Sequence, residues 1–125
     1  MKRIKKFESF NTTHRLPTKV SEDEWKKKSN MYSDEKFNQK EVDFFKKLKE
    51  ENPSKVTDIS LLAPGAIIME FGMVWIHFYK KSDDWYLICV ETSRFQFQEV
   101  TDGDEYYICD EWDEVLGYLE NNNLY

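Results

Sequence analysis

A chain of 125 residues, 16% of them aromatic and with a net charge of −6, has room for one core and ring surface enough to fill it. That much apolar ring excludes global disorder, and four Gly with three Pro argue against a loop-rich scaffold. Two cysteines, Cys89 and Cys109, are too few for a disulfide framework, and no apolar run reaches the roughly 18 residues of a membrane helix.

Met1–Phe10 is basic and is followed by no apolar stretch of the signal-peptide kind, so a soluble cytoplasmic protein with reduced thiols is expected. On that expectation the Asn11-Thr12-Thr13 sequon is a chance match. The net charge hides a gradient. Residues 1–28 hold nine bases against four acids, residues 29–55 balance, and residues 56–125 set fourteen acids against Lys80, Lys81 and Arg94. Opposite blocks within a Debye length of about 8 Å attract, so self-neutralisation of the basic start by the acidic half is expected.

Residues 1–20 read as a basic arm carrying Lys2, Arg3, Lys5 and Lys6, and residues 21–125 as a single α+β domain. Ile4, Phe7 and Phe10 share a helical face, the pattern of a segment that touches a membrane or a nucleic acid. The stretch is shorter than the roughly 12–15 residues an isolated helix needs, which favours a structural arm. Asn11–Val20 reads as a connector, with His14 as polar surface. Ser21 with Glu24 forms a capping box that opens a helix to about Tyr32, and Asn38 with Glu41 opens a second one to Glu51. Asn52-Pro53 ends it, because the residue before proline is pushed out of the helical region.

Lys55–Leu62 alternates as an edge strand would, and Pro64-Gly65 turns the chain. The centre of the fold is then a meander: Ala66–Phe71, Val74–Lys80, Asp84–Thr92 and Glu105–Asp110. Trp85, Leu87 and Cys89 alternate with Tyr86, Ile88 and Val90, so that strand is apolar on both sides and belongs inside the sheet with cover on each face. Arg94–Val100 alternates as a further strand. Asp110 reads as the cap of a last helix whose Trp112, Val115, Leu116 and Leu119 pack on the sheet. Gly117 within it implies a close contact. The fold class is α+β: N-terminal helices, an antiparallel sheet of four to six strands, and a C-terminal helix on the sheet.

The opening Met-Lys-Arg-Ile-Lys-Lys-Phe-Glu-Ser-Phe resembles the starts of small accessory proteins of tailed phages and other large viruses. Asp83-Asp84-Trp85-Tyr86 with Tyr106-Tyr107-Ile108-Cys109-Asp110 and Leu116–Leu119 is similar to a strand–strand–helix ending in such proteins. The resemblance covers the first ten and last forty residues. It implies a viral or bacterial cytoplasmic setting and brings no activity or catalytic residue with it.

Chemistry-bearing motifs are scarce. Glycines at 65, 72, 103 and 117 build no phosphate loop, and there is no HExxH, CxxC or nucleophile elbow. His77, Cys89 and Cys109 fall on three predicted strands, but Cys109 precedes Asp110 and Glu111, a setting that does not favour a thiolate. Asp83-Asp84 and the Asp110/Glu111/Asp113/Glu114 cluster are hard-oxygen groups, yet turn chemistry and a helix dipole account for both. No catalytic, cofactor-binding or metal-binding residue is assigned, and no cofactor is expected.

The stretch most informative about partners carries Glu99, Asp102, Asp104, Glu105, Asp110, Glu111, Asp113 and Glu114, with no base among them. The first expectation is a non-enzymatic interaction protein that binds another protein or a second copy of itself. Nucleic acid would be reached only through the N-terminal arm, and no membrane partner is expected. The alternative is an acidic, nucleic-acid-mimicking inhibitor of a nucleic-acid-handling or defence enzyme, using those eight acids as one face. A hydrolase or nuclease built on His77 and carboxylates ranks third.

Overall fold

Alternating side chains and tight turns from Val56 to Thr92 build most of one sheet, onto which the two preceding helices fold. A computed structural model describes residues 13–72, 74–92 and 104–125. In chain order the elements are β1 (Thr18–Val20), α1 (Glu22–Met31), α2 (Gln39–Glu51), β2 (Val56–Ala63), β3 (Ala66–Phe71), β4 (Val74–Lys81), β5 (Trp85–Thr92), β6 (Glu105–Cys109) and α3 (Trp112–Asn121). The six strands form an antiparallel sheet in the order β1-β6-β5-β4-β3-β2, and the architecture is α+β with a C-terminal helix.

The consecutive strands β2 to β5 are a meander, joined by short turns. Gly72 takes the left-handed φ of 65° between β3 and β4, where a side chain would be strained. A single 3₁₀ turn, Ser82–Asp84, links β4 to β5, with Asp84 also left-handed at φ 60°. β2 departs from regular pairing with β3 twice, between Val56 and Asp58 and between Leu61 and Ala63.

Both faces of β5 are covered. On one side α2 and α3 set Phe45, Leu48, Val115 and Leu119 against Ile67, Met69, Ile76, Phe78, Ile88 and Cys109, which forms the main core. On the other side Trp25 of α1 closes a smaller cluster with Leu87 and Cys89, joined by Val20, Tyr79 and Tyr106. Strand pleat alone decides this division, because successive side chains leave the sheet on opposite sides. Both predicted N-caps are in place. Ser21 Oγ accepts from Glu24 N–H, and Asn38 and Glu41 form a reciprocal capping box.

Three expectations differ from what is found. Residues 18–20 are not connector but an edge strand, with Thr18, Lys19 and Val20 opposite Ile108, Tyr107 and Tyr106. Three residues carry too little periodicity to show as a strand. Asp110 does not cap α3. The N-cap is Glu111, without a side-chain cap, and it is Glu114 Oε1 that reaches back to accept from Asp110 N–H at 3.0 Å. His14 is not plain polar surface: its Nδ1 lies 2.7 Å from Asp113 Oδ1 and its ring packs on Tyr125. The Met1–Phe10 segment and the Arg94–Val100 strand lie outside the described residues.

Gly117 shows why α3 sits where it does. A Cβ there would stand 1.8 Å from the backbone carbonyl oxygen of Arg15. Residues 13–17 thus lie as a strap directly on the helix. Replacing a helical Gly by Ala ordinarily gains about 1 kcal/mol. Gly117→Ala is instead expected to lose about 1–3 kcal/mol from the forced displacement, a reversal of sign that urea unfolding will read directly.

Candidate functional site

Two depressions flank α2, and they differ in kind. The first is polar and lies between the starts of α2 and α3 and the end of the β4–β5 hairpin, with a volume of about 580 Å³. Its floor holds a buried ion pair. Lys80, 5% exposed, donates from Nζ to Glu41 Oε1 at 2.9 Å, and Glu41 is itself only 7% exposed. Glu41 Oε1 also accepts from Asn38 N–H, and Oε2 accepts from the Tyr86 hydroxyl at 2.5 Å. Burial, with that hydrogen bond second, pushes the Tyr86 hydroxyl far above its ordinary value. Phe44 and Trp112, edge to face at 5.5 Å, line the same depression.

Every oxygen of Glu41 therefore has a donor, and the group is spent on fixing α2 to β4. Lys81, one residue on, points to the opposite face and donates to Asp34 Oδ1 at 2.6 Å. The two lysines hold the segments on either side of the sheet against the same strand. A buried pair of this kind is costly to break from one side, because the surviving charge is left without compensation.

The second depression is apolar and open, about 840 Å³, between the start of α2 and the far end of β2. Phe37, Val42, Leu61, Leu62 and Pro64 line it, with Lys36 and Lys46 at its sides. Leu61 and Leu62 are 54% and 62% exposed, the two adjacent large apolar side chains left open on the sheet among the described residues. β2 is the last strand of the sheet, so its outer backbone groups are unpaired by any described strand.

The residues flagged by sequence are dispersed. Cys89 belongs to the small cluster and Cys109 to the main core, on opposite faces of the sheet. Burial pushes the Cys89 thiol up to about 12 and the Cys109 thiol well above its usual value, so both are held as thiols. His77 stands opposite Cys89 in register, but its Nε2 lies 3.0 Å from Glu91 Oε1 and its Nδ1 3.4 Å from the Tyr79 hydroxyl. Both ring nitrogens are engaged. Among the described residues no group of three or more His, Cys, Asp or Glu side chains is arranged to hold a metal ion.

Of the eight acids, Glu99 and Asp102 lie outside the described residues. Glu111 and Glu114 both pair with the Arg15 guanidinium, and Asp113 accepts from the Arg15 N–H at 2.8 Å and faces His14. Glu105 accepts from the Tyr107 hydroxyl and lies 3.7 Å from Lys19. Asp104 is half-buried and Asp110 exposed. Cations of residues 14–19 thus cover much of this stretch. Lys2, Arg3, Lys5 and Lys6 lie outside the described residues. The apolar groove was missed at the sequence level, although the pair Leu61-Leu62 at the end of a predicted edge strand was its signal.

No described helix is long and apolar enough to cross a membrane. In comparisons with protein-family models, curated proteins and solved structures, the chain matched none. The resemblance to viral accessory proteins rests on the sequence alone.

Two outcomes test this geometry. Lys80→Met is expected to cost about 3–5 kcal/mol by stranding Glu41, and adding Glu41→Gln is expected to recover part of that loss in chemical denaturation. The Arg15 N–H first, and His14 second, hold the Asp113 carboxyl below the usual carboxylate value. A lowered folded value gives stability that is present above the unfolded value near pH 4 and is lost as pH falls through the folded one. Asp113→Asn is therefore expected to lower Tm at neutral pH, with the gap to the parent closing as pH falls below the unfolded value and through the folded one. Glu114 runs the other way: burial raises it, so its cost is relieved on protonation.

Proposed function

We propose that this chain is a non-enzymatic protein-interaction module whose working surface is the outer edge of β2 and the apolar groove beside it. The observation that carries the reading is the pair Leu61 and Leu62, both more than half exposed on an open edge strand and both lining the groove. Large apolar side chains left in water beside unpaired backbone groups are the raw material of strand addition. They contribute nothing to the core of the described chain.

Binding without catalysis is supported by the state of the reactive groups. The two thiols are buried and protonated, and the His77 ring is held between Glu91 and Tyr79. The acidic alternative is less well supported, since a basic partner would first have to displace Arg15 from Glu111 and Glu114.

Chemical crosslinking in an extract of the source cells tests the reading. The wild-type chain is expected to give a discrete adduct with another protein, and the double variant Leu61→Asp with Leu62→Asp to lose it while keeping its Tm. Apolar anchors at the centre of an interface each commonly carry more than about 1 kcal/mol, so the two changes together are expected to weaken the complex by about tenfold or more. An adduct that survives both changes would remove the groove from the account.

A further inference from the structure

We infer that the groove takes an extended segment that carries acidic side chains beside its apolar ones. This rests on the module reading and adds the chemistry of the partner. The argument begins with charge. Lys36 and Lys46 stand at the sides of the groove, no acid lines it, and neither lysine has a carboxylate partner among the described residues. Their neighbours on the same element are committed differently: Lys47 pairs with Glu51, and Lys49 reaches Asp58 at 3.8 Å. Two unpaired cations beside open leucines favour a partner that brings anions with its apolar side chains, and disfavour a basic one.

The strand itself sets the form and direction of the fit. Asp58 to Leu61 is in regular register with β3, and a register shift bounds this run on each side. An added strand therefore has only a short regular edge to follow, which limits pairing to a brief extended segment. Side chains of one parity, apolar and acidic alike, turn to the groove lined by Leu61, Phe37, Val42, Lys36 and Lys46, and those of the other parity face outward. The partner's acids belong where Lys36 and Lys46 line the groove. At the start of the regular run Asp58 is already held by Lys49 and accepts from Ser60 Oγ at 2.9 Å, so that end carries no call for an anion.

A second copy of the chain is a poorer occupant on charge: its own β2 edge, Val56–Ala63, brings one acid, Asp58, which Lys49 and Ser60 already hold.

The test selects a yeast-displayed library of random peptides against the full chain and counter-selects on the Leu61→Asp, Leu62→Asp double variant. Enrichment of sequences that combine Glu or Asp with Val, Ile, Leu or Phe is expected. The best such peptide is then compared with its Lys-for-acid twin by fluorescence anisotropy. The acidic form is expected to bind about tenfold more tightly at low salt, and Lys36→Glu with Lys46→Glu to reverse the order. N-methylation of alternate backbone amides is expected to abolish binding, since it removes the strand-pairing donors. Enrichment of basic or charge-neutral sequences, or failure to enrich any, would overturn the inference. So would a lysine variant that keeps the original preference, or a wild-type dimer in sedimentation that the leucine changes dissociate. A cellular adduct that depends on the leucines but ignores both lysines would overturn the partner chemistry alone and leave the module reading standing.

Discussion

The carboxylate of Glu41 is the point on which the helical layer turns. It closes the capping box that starts α2, accepts the Lys80 ammonium from β4 and takes the Tyr86 hydroxyl from β5, all within one enclosed site. An apolar contact would hold α2 against the sheet with latitude in rotation and slide. A charge with three directional donors removes that latitude, because any shift leaves a buried group unpaired. The position of α2 in turn sets one wall of the groove through Val42 and Lys46 and one wall of the polar depression through Phe44. Stability is not the main return on such a pair. What it fixes is geometry.

The other face of the sheet is held more lightly. Trp25 packs near Tyr79 and Tyr106, with ring centroids 5.8 and 5.4 Å away, and its indole N–H meets no acceptor among the described residues. α1 is also bordered by exposed groups, with Lys26 paired to Glu22 across one helical turn. Two layers of unequal grip on one sheet mean that local opening starts on the Trp25 side.

Much of this fold was legible because its signals are local. The strands from Ala66 to Thr92 declare themselves by alternation, and both early caps by a donor and acceptor three residues apart. β5 was placed inside the sheet by its two apolar faces. What escaped had no local signature. Thr18–Val20 is too short to show a period, and its partner lies in β6. The capping role of Asp110 failed because α3 starts at Trp112 with Glu111 at the cap position, which leaves Asp110 one residue outside it. The groove escaped for a related reason: Phe37 and Val42 come from one part of the chain and Leu61 and Leu62 from another, and only the seating of α2 brings them together. The charge gradient was informative in direction, since Arg15 and Lys19 do meet acids of the second half.

The strap over α3 has a bearing on the order in which this chain can assemble. The Thr13 hydroxyl donates to Glu120, 107 positions further along the chain, and β1 docks beside β6 only once both exist. During synthesis on the ribosome the hairpins from β2 to β5 can form as they emerge. Residues 13–20 must wait, uncommitted, until β6 and α3 have been made. Contacts of such separation close slowly. Until they close, the nascent chain carries a sheet with an unfinished flank at β5 as well as the edge it keeps, the interval in which a chaperone would find most to hold.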